Sequence, residues 1–126
     1  MSTKKKDRNE SPIEYLETVK KLLDHSLEYF PKLGDKRRTL IQVPMLGYVR
    51  KILELVVFVN REKEDVRKRV GYIYEVFSWL DIFELQLSVI QKHYEQCITS
   101  YGWLHFGELI YFERRLLEGL LKKLKF

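Results

Sequence analysis

The sequence predicts an all-α protein, an antiparallel up-down-up-down four-helix bundle. Three observations carry that reading: after Pro12 the breaker residues gather in only three short stretches, the segments between them keep a helical apolar period, and the connections are short. Short connections force neighbouring helices to run antiparallel. The sequence divides into a basic, flexible N-terminal tail over residues 1–11 and a single bundle domain over residues 12–126.

Helix one starts at Ser11-Pro12-Ile13-Glu14, where Ser11 serves as N-cap, Pro12 takes the first helical position and Glu14 closes a capping box. Phe30-Pro31-Lys32-Leu33-Gly34-Asp35 ends it, because proline disfavours helix in the residue before it and Gly34 readily takes left-handed angles. Helix two runs from about Lys36 to Asn60, with Pro44 either inside its first turns or kinking it. Asn60-Arg61-Glu62 is the tightest break. Helix three runs from about Lys63 to Tyr94 and helix four from about Thr99 to Lys125.

Each helix has an apolar stripe. In helix one it is Ile13, Leu16, Leu23, Leu27 and Phe30, interrupted by Lys20; in helix three Val66, Val70, Ile73, Phe77, Leu80 and Leu87, interrupted by Glu84; in helix four Leu109, Phe112, Leu116, Leu120 and Leu124. The apolar surface is wider than one core needs. Leu53 to Val59 is apolar nearly all round, and helix one has a second stripe of Tyr15, Val19, Leu22 and Tyr29. Aromatics continue through Tyr72, Tyr74, Trp79 and Phe83, then Tyr101, Trp103, Phe106 and Tyr111. Two readings fit: a thick aromatic core, or a second face buried against other subunits, since so large an apolar patch is a liability on a monomer.

No stretch of about 18 apolar residues lacks charge, so no membrane span is expected. Met1 to Arg8 lacks the apolar core of a signal peptide, which makes the cytoplasm the expected compartment. The single cysteine, Cys97, excludes an internal disulfide framework.

Charge is more telling in its placement than in its total. The chain carries 23 Lys plus Arg against 18 Asp plus Glu, a modest formal +5. In an alternating bundle the ends of helices two and four, the start of helix three and the tail meet at one pole. That pole gathers Lys4, Lys5, Lys6, Arg8, Arg61, Lys63, Arg67, Lys68, Arg69, Lys122, Lys123 and Lys125, diluted by Asp7, Glu10, Glu14, Glu62, Glu64 and Asp65. The dibasic pairs Arg50-Lys51 and Arg114-Arg115 form a belt further in. Such a surface suits sequence-independent phosphate binding by counterion release. It equally suits a solvated face in which Glu62, Glu64 and Asp65 pair with Lys63, Lys68 and Arg69.

Catalytic constellations are nearly absent. His93 and Cys97 lie four residues apart, with His105 further on, but no fourth ligand or zinc spacing accompanies them. His25 has no cysteine or carboxylate motif beside it and reads as a partly exposed or hydrogen-bonded bundle residue. Glu14, Glu84 and Glu113 do not form the Glu-x-x-His pattern of di-iron bundles, and the six glycines are scattered singly, so no phosphate loop is present. Neither enzyme activity, a cofactor nor a metal is expected.

Tyr29-Phe30-Pro31-Lys32 closing helix one, the apolar run Glu54-Leu55-Val56-Val57-Phe58-Val59-Asn60, a basic start to helix three and the closing Glu113-Arg114-Arg115-Leu116-Leu117-Glu118-Gly119-Leu120-Leu121-Lys122 together give the chain its character. This order resembles the accessory variability determinant (Avd) family of diversity-generating retroelements, relatives of the four-helix bundle proteins of 23S rRNA intervening sequences. The similarity spans roughly Tyr15 to Lys125 and is one of spacing and residue type. Gln42 followed by Val43-Pro44-Met45-Leu46-Gly47, in place of the Gln-x-x-Arg-Arg run of the intervening-sequence proteins, favours the Avd branch. The resemblance implies a barrel-like homopentamer with a basic surface that binds reverse transcriptase and template RNA and supports mutagenic retrohoming.

On that reading the protein is nonenzymatic. Arg50, Lys51, Arg61, Lys63, Arg67, Lys68, Arg69, Arg114, Arg115, Lys122 and Lys123 contact the phosphates of RNA or DNA, and Tyr15, Val19, Leu22, Tyr29, Leu53 and Val57 seal subunits together. The alternative is a bundle adaptor that binds protein alone, of the intervening-sequence type and without a retroelement role. A third class is a metal-dependent enzyme built around His93, Cys97 and His105.

Overall fold

A computed structural model describes residues 13–124. Four helices make up the fold: α1 (Glu14–Tyr29), α2 (Val43–Arg61), α3 (Val66–Tyr94) and α4 (Ser100–Leu124), with no strand among the described residues. The Ser11-Pro12 start signal, the tail over 1–11 with Lys4, Lys5, Lys6 and Arg8, and Lys125 lie outside the described residues.

Ile13 is the extended residue before α1, and its carbonyl accepts from the backbone N–H groups of Leu16 and Glu17 at 3.0 Å. Glu14 and Glu17 in the first turn complement the positive end of the helix dipole. Pro31 tightens the chain beyond Tyr29 into a 3₁₀ turn, Phe30–Leu33. Gly34 then takes φ 98° and ψ 153°, a region essentially restricted to glycine. Its carbonyl accepts from Arg37 N at 3.1 Å and from Gln42 Nε2 at 3.0 Å, which ties the connection shut.

The second helix begins at Val43, later than the Lys36 expected from the sequence, and Pro44 is the reason. A proline has no N–H to donate, and its ring crowds the carbonyl four residues back. The chain ahead of it therefore runs as a 3₁₀ turn, Asp35–Arg37, and a wider π turn, Arg38–Gln42, in which Val43 N reaches back to Arg38 O. The break before α3 is also longer than expected and ends at Asp65. The Asp65 carboxylate accepts from Lys68 N at 3.1 Å, and Glu62 Oε2 accepts from Asp65 N at 3.1 Å. Thr99 starts α4 in the same way, taking the N–H of Gly102 at 3.0 Å.

Helix α1 packs on α2 and α4, and α3 packs on the same two helices. At one end the Tyr15 hydroxyl donates to Asn60 Oδ1 at 3.1 Å and Arg69 Nε donates to Val59 O at 2.8 Å, so the start of α1, the end of α2 and the start of α3 meet. At the other end His25 Nε2 lies 2.8 Å from Gly102 O, and the Arg37 guanidinium sits 4.4 Å above the Tyr94 ring. Between them runs one core, in which Phe30 stacks on Phe106 at 5.1 Å while Phe83 meets Phe30 edge-on at 6.2 Å.

The face that α1 turns to this core is displaced from the expected stripe, of which Phe30 is fully buried and Leu16 and Leu23 pack against the core. Val19, Leu22, His25 and Ser26 are buried, whereas Ile13 and Leu27 are 38% and 48% exposed. Hydropathy misses this because two polar residues lie on the buried side: Ser26 Oγ donates to Leu22 O at 2.7 Å, and His25 bonds Gly102 O. Val19 and Leu22, expected between subunits, are sealed inside the protomer and have no surface to offer a neighbour. In α4, Phe112 is likewise exposed although it falls on the expected stripe, while Leu109 and Leu117 are buried.

Among the described residues one buried side chain has no hydrogen-bond partner. Glu113 is fully enclosed in α4, neither carboxyl oxygen has a hydrogen-bond partner, and burial pushes its pKa from 4.5 up to about 9. The folded protein thus holds this proton between about pH 4.5 and 9 while the unfolded chain releases it. Its stabilising proton is fully effective below 4.5, and stability declines as pH rises through that window, by on the order of 3 kcal/mol between pH 4.5 and 7. Melting Glu113→Gln beside the unsubstituted protein checks this: the variant should gain in relative Tm from pH 5 to pH 8, and a pH-independent difference would refute the buried neutral acid. A second test concerns Gly102, where an added Cβ would fall 2.8 Å from the Tyr29 ring. Gly102→Ala should lower stability by about 1–3 kcal/mol in denaturant titrations.

Candidate nucleic-acid interface

The basic residues of the α2–α3 connection divide into those held by the protein and those free to reach a ligand. Arg61, Lys63 and Arg67 are exposed and enter no ion pair among the described residues. Lys68 approaches Glu62 at 3.9 Å, an exposed pair of little energetic weight. Arg69 is committed inward: besides Val59 O, its guanidinium donates to the Tyr15 hydroxyl at 3.4 Å. It closes the pole through these two bonds.

The capping of α3 positions the free cations. Asp65 and Glu62 fix the connection through backbone N–H groups, so Arg67 projects from the first turn of a helix whose amino end is itself partially positive. Lys122 and Lys123 stand exposed in the last turn of α4, and Lys123 lines a shallow cleft with Ile13 and Tyr15, which places them at the same pole.

The belt is less uniform than its sequence. Arg50 is exposed, but Lys51 pairs with Glu54 at 3.2 Å. Arg114 bridges α4 to α3, contacting Asp81 and, at 3.3 Å, Glu84; only Arg115, lying 5.9 Å over Tyr111, remains exposed. Arg114 therefore works as a tie between helices, a role the dibasic spacing does not reveal.

Of the residues expected between subunits, Tyr15 and Tyr29 are half-buried against their own protomer, Tyr29 lying 4.5 Å from the His25 ring. Leu53 and Val57 are half-buried on α2. A larger apolar face lies elsewhere. Tyr74, Ile82, Leu85 and Val89 are 54%, 38%, 68% and 58% exposed, and with Gly71 and Ser78 they form a stripe along the outside of α3. Their steps of three and four residues are legible in the sequence, but the core stripe of the same helix obscures them.

His105 does not join His93 and Cys97 at one site. His105 bonds Glu108 at 2.9 Å and stacks on Tyr101, while His93 and Cys97 line a cleft with Arg37. No group of three metal-ligating side chains occurs among the described residues. His25 is buried, as its hydrogen-bonded reading requires, and not partly exposed; desolvation depresses its pKa, opposed by the Gly102 carbonyl and reinforced by His105. The neutral ring donates from Nε2 to that carbonyl.

No protein-family model matches the chain, and neither a curated protein nor a solved structure matches it.

The division of labour between Arg67 and Arg69 is testable by thermal melting. Arg69→Ala removes two hydrogen bonds that close the pole and should cost about 1–2 kcal/mol, whereas Arg67→Ala should stay within about 0.5 kcal/mol of the unsubstituted protein. Equal losses would contradict the assignment.

Proposed function

We propose that the chain is a nonenzymatic accessory protein of a diversity-generating retroelement. It binds the element's reverse transcriptase and template RNA in the cytoplasm and supports mutagenic retrohoming. The single observation that carries the reading is the set of exposed cations Arg61, Lys63 and Arg67, outside any ion pair among the described residues, on a connection stiffened by the Asp65 cap. The resemblance in spacing to Avd proteins supplies the element and the partner. Positively charged groups spaced on a rigid turn lose little entropy on meeting a phosphate backbone, and the release of condensed counterions drives the contact without reading base sequence.

In this reading the helices run up-down-up-down and the protomers close into a pentameric barrel. An apolar stripe as long as that on α3 supports assembly, because burying it removes a large exposed patch from water. The same stripe favours a second reading, an adaptor that binds protein alone through α3.

Salt dependence separates the two. With a labelled single-stranded RNA oligonucleotide followed by anisotropy, the slope of log affinity against log salt should be steep. It should fall by about 2 units in Arg61→Ala/Lys63→Ala/Arg67→Ala, at ~0.7 per phosphate contact. An unchanged slope removes these residues from the site, and no RNA binding near physiological salt leaves the adaptor. Light scattering at moderate and high salt tests the assembly: a pentamer that Leu85→Lys dissociates is the expected result, and a salt-independent monomer defeats the barrel.

A further inference from the structure

The end of the bundle opposite Arg61 and Arg67 is also basic, for a reason that chain order conceals. The connection from α1 to α2 carries Lys32, Lys36, Arg37 and Arg38, and the fold brings it against the end of α3, where Lys92 and His93 stand exposed. The joint is made by Arg37, whose guanidinium stacks 4.4 Å above the Tyr94 ring while donating to the Leu33 carbonyl at 2.5 Å. Arg37, Lys92 and His93 share one open cleft of about 920 Å³ that extends to Ser100 at the start of α4. Glu28, Asp35 and Glu95 are the nearby acids, Glu95 lining the same cleft, yet none pairs with these cations among the described residues. Lys36, Arg38 and Lys92 are thus exposed and outside any ion pair among the described residues.

We infer that this end is a second phosphate-binding surface, with Lys36, Arg38 and Lys92 as its ligands and Arg37 as the residue that holds it to α3, so that one protomer bridges two segments of RNA. The inference rests on the RNA-binding reading and adds a separate site to it. Helix α3 spans the two ends with 29 residues, or about 43 Å at ~1.5 Å per residue. A ten-base-pair duplex is at most about 34 Å long at ~3.4 Å per pair and cannot occupy both. Arg37 stacked on an aromatic ring loses little further freedom when its neighbours engage a backbone, which suits a preformed surface.

Stoichiometric titration of the full chain with a labelled ten-base-pair RNA duplex of mixed sequence tests this. Two duplexes per protomer are expected at low salt. Lys36→Gln/Arg38→Gln/Lys92→Gln should halve the stoichiometry and lower the summed salt slope by about two to three units, at ~0.9 per contact. All three residues are exposed, so the helical circular dichroism and Tm should not change. The complementary variant Arg61→Ala/Lys63→Ala/Arg67→Ala should remove the other duplex and leave this one. If the Lys36/Arg38/Lys92 variant keeps the full stoichiometry and slope, the second surface is refuted and the first stands. If the Arg61/Lys63/Arg67 variant alone is unaffected, the function proposed for that pole fails and this one stands. Retention on polyglutamate with no duplex binding would assign the surface to an acidic protein and overturn the inference.

Discussion

The approach of α1 to α4 at Gly102 is the contact on which the rest of the bundle depends. With no side chain on Gly102, the Tyr29 ring comes close to the α4 backbone, and His25 reaches its carbonyl at 2.8 Å. That bond fixes the register between the two helices. Once it is set, Phe106 falls against Phe30 and Phe83, and the 3₁₀ turn that follows α1 is carried towards the end of α3. A neutral histidine serves here because its buried N–H is matched by a carbonyl, whereas a charged ring would face desolvation and the nearby His105.

Glu113 stands in contrast to that satisfied polar group. Its carboxyl lies in the same core with no donor in reach, and folding accommodates it only by keeping its proton. Arg114, the adjacent residue, points outward to Asp81 and Glu84 and cannot neutralise it. The seam between α3 and α4 is therefore tied at its surface by an ion pair, while the next residue along α4 is a buried, protonated acid. A buried polar group of this kind lowers stability without adding a contact, and it makes the bundle's stability a function of pH where an all-leucine core would be indifferent.

Between these helices the basic residues sort by what their neighbours demand. Arg69 satisfies a carbonyl and a hydroxyl oxygen of the protein, Arg114 ties to surface carboxylates of α3, and Arg37 joins the α1–α2 connection to the end of α3 through an aromatic ring. Arg61, Lys63, Arg67, Lys36, Arg38 and Lys92 are left to solvent at the two ends. The arginines that build the scaffold thus present the cations that can leave it, and the distance between the two sets is the length of α3.

Four helices and most of their limits, the start of α2 excepted, were legible from apolar period and breakers, because capping acts locally: Asp65 and Thr99 operate on backbone groups within a few residues. The clustering of Arg61, Lys63 and Arg67 was equally legible, since the three lie within seven residues of the chain. Which face of α1 enters the core was not, since Ser26 and His25 look polar until a carbonyl four residues away and another in α4 accept their bonds. The burial of Glu113, the inward commitment of Arg69, the surface tie of Arg114 to α3, and the meeting of Arg37 with Tyr94 were decided by tertiary structure alone. Each depends on groups 10 to 57 residues apart, and no local pattern encodes whether a polar side chain will find its partner across the fold.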